Sequence, residues 1–260
     1  MFPANTWTMK TSTSPKILPI KMSERFSGKS VLVAGGTGGL GRAVSLAFLE
    51  ELATVTVTYR RQEEFLSLKK AGAARASSLT GEQTDVTNED SVRDLTANIV
   101  SRAGHLDVLV NAVGGYAGGT PLWDLSTKTF EQMLALNLRS GFVLACAVVP
   151  LMLKQGSGAI VNVASRAAFD HAAGASAYAA SKAAAVAMID SLAADLRGTG
   201  VRANSILPAI IDTDANRRAM PGSDFAQWPK PEDIARVILF LCSDAAKLIH
   251  GASIPVYGNA

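Results

Sequence analysis

The chain has 260 residues, 48% of them apolar and 6% aromatic, with a formal charge of +3. That length suits one α/β sheet unit with a sizeable core. Lys10, Lys16, Lys21 and Arg25 face only Glu24 in residues 1–25 and account for the whole net charge, so the body is neutral and offers no basic face for nucleic acid.

Residues 1–25 read as a flexible extension ahead of a single domain at 26–260. They hold Thr, Ser, Pro and Lys without the apolar run of a signal peptide or a membrane span. Met22 offers a second start, so residues 1–22 stand either as a tail or as a start-site artefact. Residues 30–34 form a fully apolar strand. Residues 40–52 follow with helical spacing, Leu40, Val44, Ala47 and Phe48 sharing one face. The β-branched run 54–58 is strand two, and 62–70 is a helix ended near Gly72. Strand three is weakly written in 79–84. Residues 88–102 are an amphipathic helix capped by Thr87 or Asn88. Strand four is 106–111, a long helix covers 127–153, and strand five is 159–164. The Ala-rich run 175–197 is a helix, 202–207 a strand, 231–241 a helix and 252–256 a last strand. Alternating strands and helices predict a Rossmann-type, doubly wound α/β fold with a mainly parallel, seven-stranded sheet covered on both faces.

Strand one runs into Gly35-Gly36-Thr37-Gly38-Gly39-Leu40-Gly41 and then a helix. Glycines allow a tight turn and close backbone approach, and the helix N-terminus presents N–H groups to a pyrophosphate. A plain turn has little use for five glycines in seven residues. An NAD site usually places an acid at the end of strand two. Here the strand ends Thr58-Tyr59-Arg60-Arg61. A guanidinium can fork onto a 2′-phosphate, so the sequence favours NADP(H) over NAD(H). Solvated charges opening a helix are the alternative reading of this Arg pair.

Tyr178 and Lys182 stand four apart in the Ala-rich helix and share a face. A cation beside the ring favours phenolate, which makes the pair a tuned acid/base for a carbonyl or an alcohol. Ser165 follows strand five, where it can hydrogen-bond the substrate oxygen.

From about residue 27 onward the chain resembles the short-chain dehydrogenase/reductase family. The loop 34–41 is similar to that family's cofactor loop, with Ala34 where Thr is usual. Asp85-Val86 resembles its adenine-contacting pair. Asn111-Ala112-Val113-Gly114 resembles its Asn-Ala-Gly turn, and Asn137 its helix Asn that holds a relay water. The resemblance makes Ser165, Tyr178, Lys182 and Asn137 a catalytic tetrad, with Tyr178 and Lys182 also touching cofactor. The segment Pro208-Ala209-Ile210-Ile211-Asp212-Thr213 resembles the one closing over nicotinamide, so Pro208, Ile211 and Thr213 join the expected cofactor residues. It also implies a homo-oligomer, a tetramer or a dimer, packed through two long helices. The small faces Ala179, Ala180, Ala183 and Ala184 serve that packing or internal packing equally well.

Substrate contacts are expected from Tyr116, His171 and Trp228, the last ending a polar lid-like loop at 214–228. A plain loop histidine is the other reading of His171, and His105 and His250 read as structural. Residues 216–225 resemble the matching loop of dihydropteridine reductases, although Arg60 and Ser165 argue against full equivalence. Val256-Tyr257-Gly258 departs from the ending usual in ketoacyl reductases. Dihydropteridine-reductase-like and 3-oxoacyl thioester reductase activities are therefore alternatives to a carbonyl reductase or alcohol dehydrogenase. A non-enzymatic NADP(H)-binding regulator is more remote, since a pure binder has no need of the tetrad. No metal spacing is present. Cys146 and Cys242 read as small buried hydrophobes in a reducing, cytoplasmic protein. The expected partner is a small-molecule carbonyl or alcohol, with neither nucleic acid nor membrane.

Overall fold

A computed structural model describes residues 24–258. The expected extension over 1–25, with its second start at Met22, lies almost wholly outside these residues. The strands are β1 (Ser30–Ala34), β2 (Thr54–Tyr59), β3 (Leu79–Gln83), β4 (Val108–Asn111), β5 (Gly158–Val163), β6 (Val201–Pro208) and β7 (Ser253–Val256). They form one sheet in the order β3-β2-β1-β4-β5-β6-β7, and every pairing is parallel.

Parallel strands bury both faces, and β1 shows it: all five residues are buried. Val31 and Val33 join one core with Val44 and Phe48 of α1 (Gly39–Glu50), Phe65 and Leu68 of α2 (Gln62–Ala71), and Ile234 and Ile238 of α8 (Pro231–Cys242). Leu32 and Ala34 join the opposite core. That core also takes Leu95 and Ile99 of α3 (Glu89–Ala103), Leu144 and Met152 of α5 (Ser140–Gln155), and Ile189 of α6 (Ser176–Asp195). Each fully buried aliphatic side chain contributes roughly 1.5–3 kcal/mol.

Three sequence expectations change. The helix expected at 127–153 is α4 (Thr127–Leu134), a π turn (Ala135–Arg139) and α5. Hydropathy cannot register the one wider turn. The run Thr127–Gln155 is long and apolar enough to cross a bilayer by length and composition; here Val143, Leu144, Val148 and Met152 bury against the sheet core. Second, 214–228 is not all loop. Thr213 caps α7 (Asp214–Ala219) by accepting from Asn216 N at 3.2 Å, and a short turn follows at Phe225–Gln227. Third, Cys146 is exposed and only Cys242 is buried. Residue 146 lies about half a turn from Leu144 and Val148, on the opposite side of α5.

Candidate active site

The strand order reverses between β1 and β4, so their C-terminal ends adjoin and open a crevice there. Ala34 pairs with Asn111, and Ala112 N donates to Ala34 O at 3.0 Å. Gly35, at φ +73°, starts the loop, and its N–H donates to Thr58 Oγ1 at 2.8 Å. Thr58 had looked only like a β-branched strand residue. The loop is tightly folded: a Cβ on Gly36 would stand 2.5 Å from Val57, and one on Gly41 only 2.1 Å from Gly35 O. Leu40 anchors the turn in the core. Gly38 is the N-cap of α1, contributes no capping side chain, and is followed by no acid in the first turn. The leading N–H groups of α1 are thus free for an anion, so the residues present fit a dinucleotide pyrophosphate.

At the end of β2, Tyr59 stacks on Phe65 with centroids 5.2 Å apart. Arg60 lies near enough to Asp85 to help lower its pKa. Asp85 sits below its ordinary value chiefly because the Thr87 hydroxyl and N–H both donate to it. Val86 is buried behind it. Arg61 departs from the simple phosphate-fork reading, because its guanidinium is engaged by Glu64, with Nε 2.9 Å from Oε1. Helical spacing brings residue 64 back over residue 61.

Beyond β4, Asn111 shapes its turn, donating through Nδ2 to Asn162 Oδ1 at 3.1 Å and accepting from Val113 N at 3.3 Å. Gly114 stands where Asn137 and Lys182 meet: a Cβ there would lie 2.9 Å from Asn137 Oδ1 and 3.2 Å from Lys182 Nζ. The π turn aims Asn137 into this corner. Its Oδ1 accepts from Gly115 N, while Nδ2 donates to Gly115 O and to Ser181 Oγ, all at 3.0 Å. Sequence reasoning missed Ser181, whose own hydroxyl donates to Tyr178 O at 2.7 Å.

Ser165, Tyr178, Lys182 and Asn137 are therefore gathered at the C-terminal edge of β5. The electrostatics differ from expectation. Burial raises the Tyr178 phenol above its ordinary value; the Ser165 hydroxyl opposes this and Tyr116 adds to it. Lys182 does not supply the expected lowering. Its Nζ donates to Val163 O at 2.9 Å, and burial brings the ammonium down to about 8. A buried cation without a carboxylate prefers to shed its proton.

Tyr116 meets Tyr178 edge to face, with centroids 5.0 Å apart, and is 69% exposed. His171 is exposed on the loop before α6, its Nε2 3.4 Å from Ala168 O. Trp228, expected at the substrate, is 8% exposed and packs against Phe225. The chain leaves β6 at Pro208. Ile211 O accepts from Thr213 N at 2.8 Å, and Thr213 Cγ2 would stand 2.6 Å from a Cβ on Gly39. The segment after β6 therefore rests on the glycine loop.

The short chain dehydrogenase profile matches residues 29–223. The chain is 32% identical to the 3-oxoacyl-[acyl-carrier-protein] reductase FabG of Thermotoga maritima, over 90% of this chain and 98% of that one. It is 33% identical to a D-threitol dehydrogenase of Mycolicibacterium smegmatis, over 95% and 98% of the two chains. A short-chain dehydrogenase/reductase structure from Burkholderia xenovorans superposes with a TM-score of 0.85 at 34% identity, covering 90% of this chain and 97% of that one. Among similar structures are ElxO with NADP bound, at TM-score 0.84 and 26% identity, covering 88% of this chain and 97% of that one, and a xylitol dehydrogenase with NAD+ bound, at 0.83 and 26%, covering 90% and 100%. With the glycine loop at the switch point and the Tyr178 corner beside it, the chain belongs to the short-chain dehydrogenase/reductase family, whose members are oxidoreductases that bind a nicotinamide cofactor.

Proposed function

We propose that the chain is a carbonyl reductase or alcohol dehydrogenase that prefers NADP(H), with Tyr178 as its general acid and base. The observation that carries this reading is the Ser165–Tyr178 hydrogen bond, in a chain whose α1 N-terminus is left without a side-chain cap. Gly35, Gly38, Gly39 and the first N–H groups of α1 hold the pyrophosphate; Arg60 takes the 2′-phosphate. When bound, the nicotinamide ring supplies or takes up the hydride. Tyr178 Oη donates a proton to the carbonyl oxygen in reduction and removes it from the alcohol in oxidation. Ser165 Oγ donates a hydrogen bond to the same oxygen. Lys182 places its charge beneath the site. Asn137 spends both Nδ2 protons on Gly115 and Ser181, which leaves one lone pair of Oδ1 for a water.

A second reading, a 3-oxoacyl thioester reductase, is favoured by the match to the Thermotoga maritima enzyme over 98% of its length. A homo-oligomer is supported by Phe130 on α4 and by Phe142 and Leu153 on α5, large apolar side chains that are exposed on one subunit. A cytoplasmic location suits two unpaired thiols.

The test follows absorbance of NADPH and NADH with a carbonyl panel that includes a β-ketoacyl thioester, with Tyr178→Phe alongside. NADPH oxidation that needs Tyr178 and exceeds the NADH rate supports the reading. Faster turnover with NADH sinks the cofactor preference, and turnover confined to the thioester selects the second reading.

A further inference from the structure

In a dinucleotide fold of this kind the adenosine ribose lies between the glycine loop and the end of the second strand. Glu64 spans that interval. Its Oε2 accepts from Thr37 Oγ1 of the loop at 3.2 Å, and its Oε1 accepts from Arg61 Nε at 2.9 Å and from Arg61 Nη2. Glu63 adds a longer contact, 3.6 Å from Arg61 Nε, with both side chains exposed. Arg61 is the guanidinium that meets this carboxylate, and two others stand on neighbouring elements. Arg42 of α1 reaches α2 at Ser67, Arg61 is held by Glu64, and Arg60 enters no ion pair among the described residues.

We infer that Glu64 is a specificity-determining residue that lowers discrimination in favour of NADP(H), because its carboxylate occupies Arg61 and faces the position of the 2′-phosphate. This rests on the NADP(H) reading given above. A 2′-phosphate must draw Arg61 away from Glu64 and tolerate a like charge beside it, whereas a 2′-hydroxyl meets neither cost. Arg60 then carries the preference for phosphate, and Glu64 keeps it moderate.

The experiment measures Kd for NADPH and NADH by nucleotide fluorescence in the wild type, Glu64→Gln, Arg61→Ala and the double variant. Glutamine retains an acceptor for Thr37 and removes the charge. Glu64→Gln is expected to tighten NADPH roughly fivefold or more while NADH moves less than about twofold. The gain should shrink in high salt and should be clearly smaller when Arg61 is alanine. An unchanged NADPH/NADH ratio in Glu64→Gln overturns the inference, as does a gain of equal size without Arg61. Failure of the underlying reading looks different: the wild type binds NADH more tightly, and Arg60→Ala leaves both constants unchanged.

Discussion

Lys182 Nζ lies 2.9 Å from the carbonyl of Val163, and no ion pair to an acid neutralises it among the described residues. Burial lowers this ammonium from 10.5 to about 8, so the folded protein bears a cost for keeping it charged. Below about pH 8 both the folded and unfolded chains hold the proton, and the cost is present in full. Between about 8 and 10.5 the unfolded chain still holds a proton that the folded one has released, so stability rises with pH through that window by roughly 3 kcal/mol. Lys182→Met should abolish this rise in urea titrations from pH 7 to 10. It should also leave the midpoint at pH 7 no lower than the wild type, while turnover falls about a hundredfold or more.

Tyr178 responds in the other direction. Burial raises its phenol, so at neutral pH it stands as the proton donor, the form that reduction needs. Carbonyl reduction should be flat with pH across neutrality, and alcohol oxidation should climb with pH as phenolate appears. Tyr178→Phe should cut both rates by about 10²–10⁴. Tyr116→Phe removes one contribution holding that phenol up, and should move the oxidation limb to lower pH in a rate profile.

The glycines of the loop are not equivalent. A Cβ on Gly36 would stand 2.5 Å from Val57, inside a packed strand, whereas one on Gly38 meets only Gly35 O at 3.4 Å. Gly36→Ala is expected to lower unfolding free energy by about 1–3 kcal/mol. Gly38→Ala should change it by less than about 1 kcal/mol. Chemical denaturation of the two variants checks the contrast.

Arg217 straps the segment after β6. Its Nε and Nη2 lie 2.5 and 2.8 Å from the two oxygens of Asp212, and its guanidinium covers the Phe225 ring at 4.9 Å. Arg217 is itself half exposed, and a surface ion pair of this kind contributes little to global stability. Arg217→Ala should therefore leave the unfolding midpoint nearly unchanged and speed proteolytic cleavage within 214–228.

Much of this was legible beforehand, because the strands are short apolar or β-branched runs and the glycine loop sits between a strand and a helix. Ser30–Ala34 matches its expected bounds, and Asn88 caps α3 as one of two residues proposed. What escaped depends on reach across space. Glu64 lies within the helix expected at 62–70 and drew no reading of its own, yet folding sets it against Thr37. Trp228 is a polar-loop aromatic in sequence and a buried wall in three dimensions. The i, i+4 rule put Lys182 on the face of Tyr178 correctly, yet it could not say that a strand carbonyl would take the ammonium.

The π turn at Ala135–Arg139 carries one residue more than regular helix would need there. Each residue of an α-helix turns the chain by about 100°. Deleting a single residue within this turn would restore ordinary winding, leave α4 and α5 near their present register, and remove the widened turn that carries Asn137. The composition and hydropathy of the run would hardly change. Yet Asn137 would point away from Gly115, and the loop bearing Tyr116 would lose the amide that holds it. Alignment length at this turn is thus as restrictive as any residue identity.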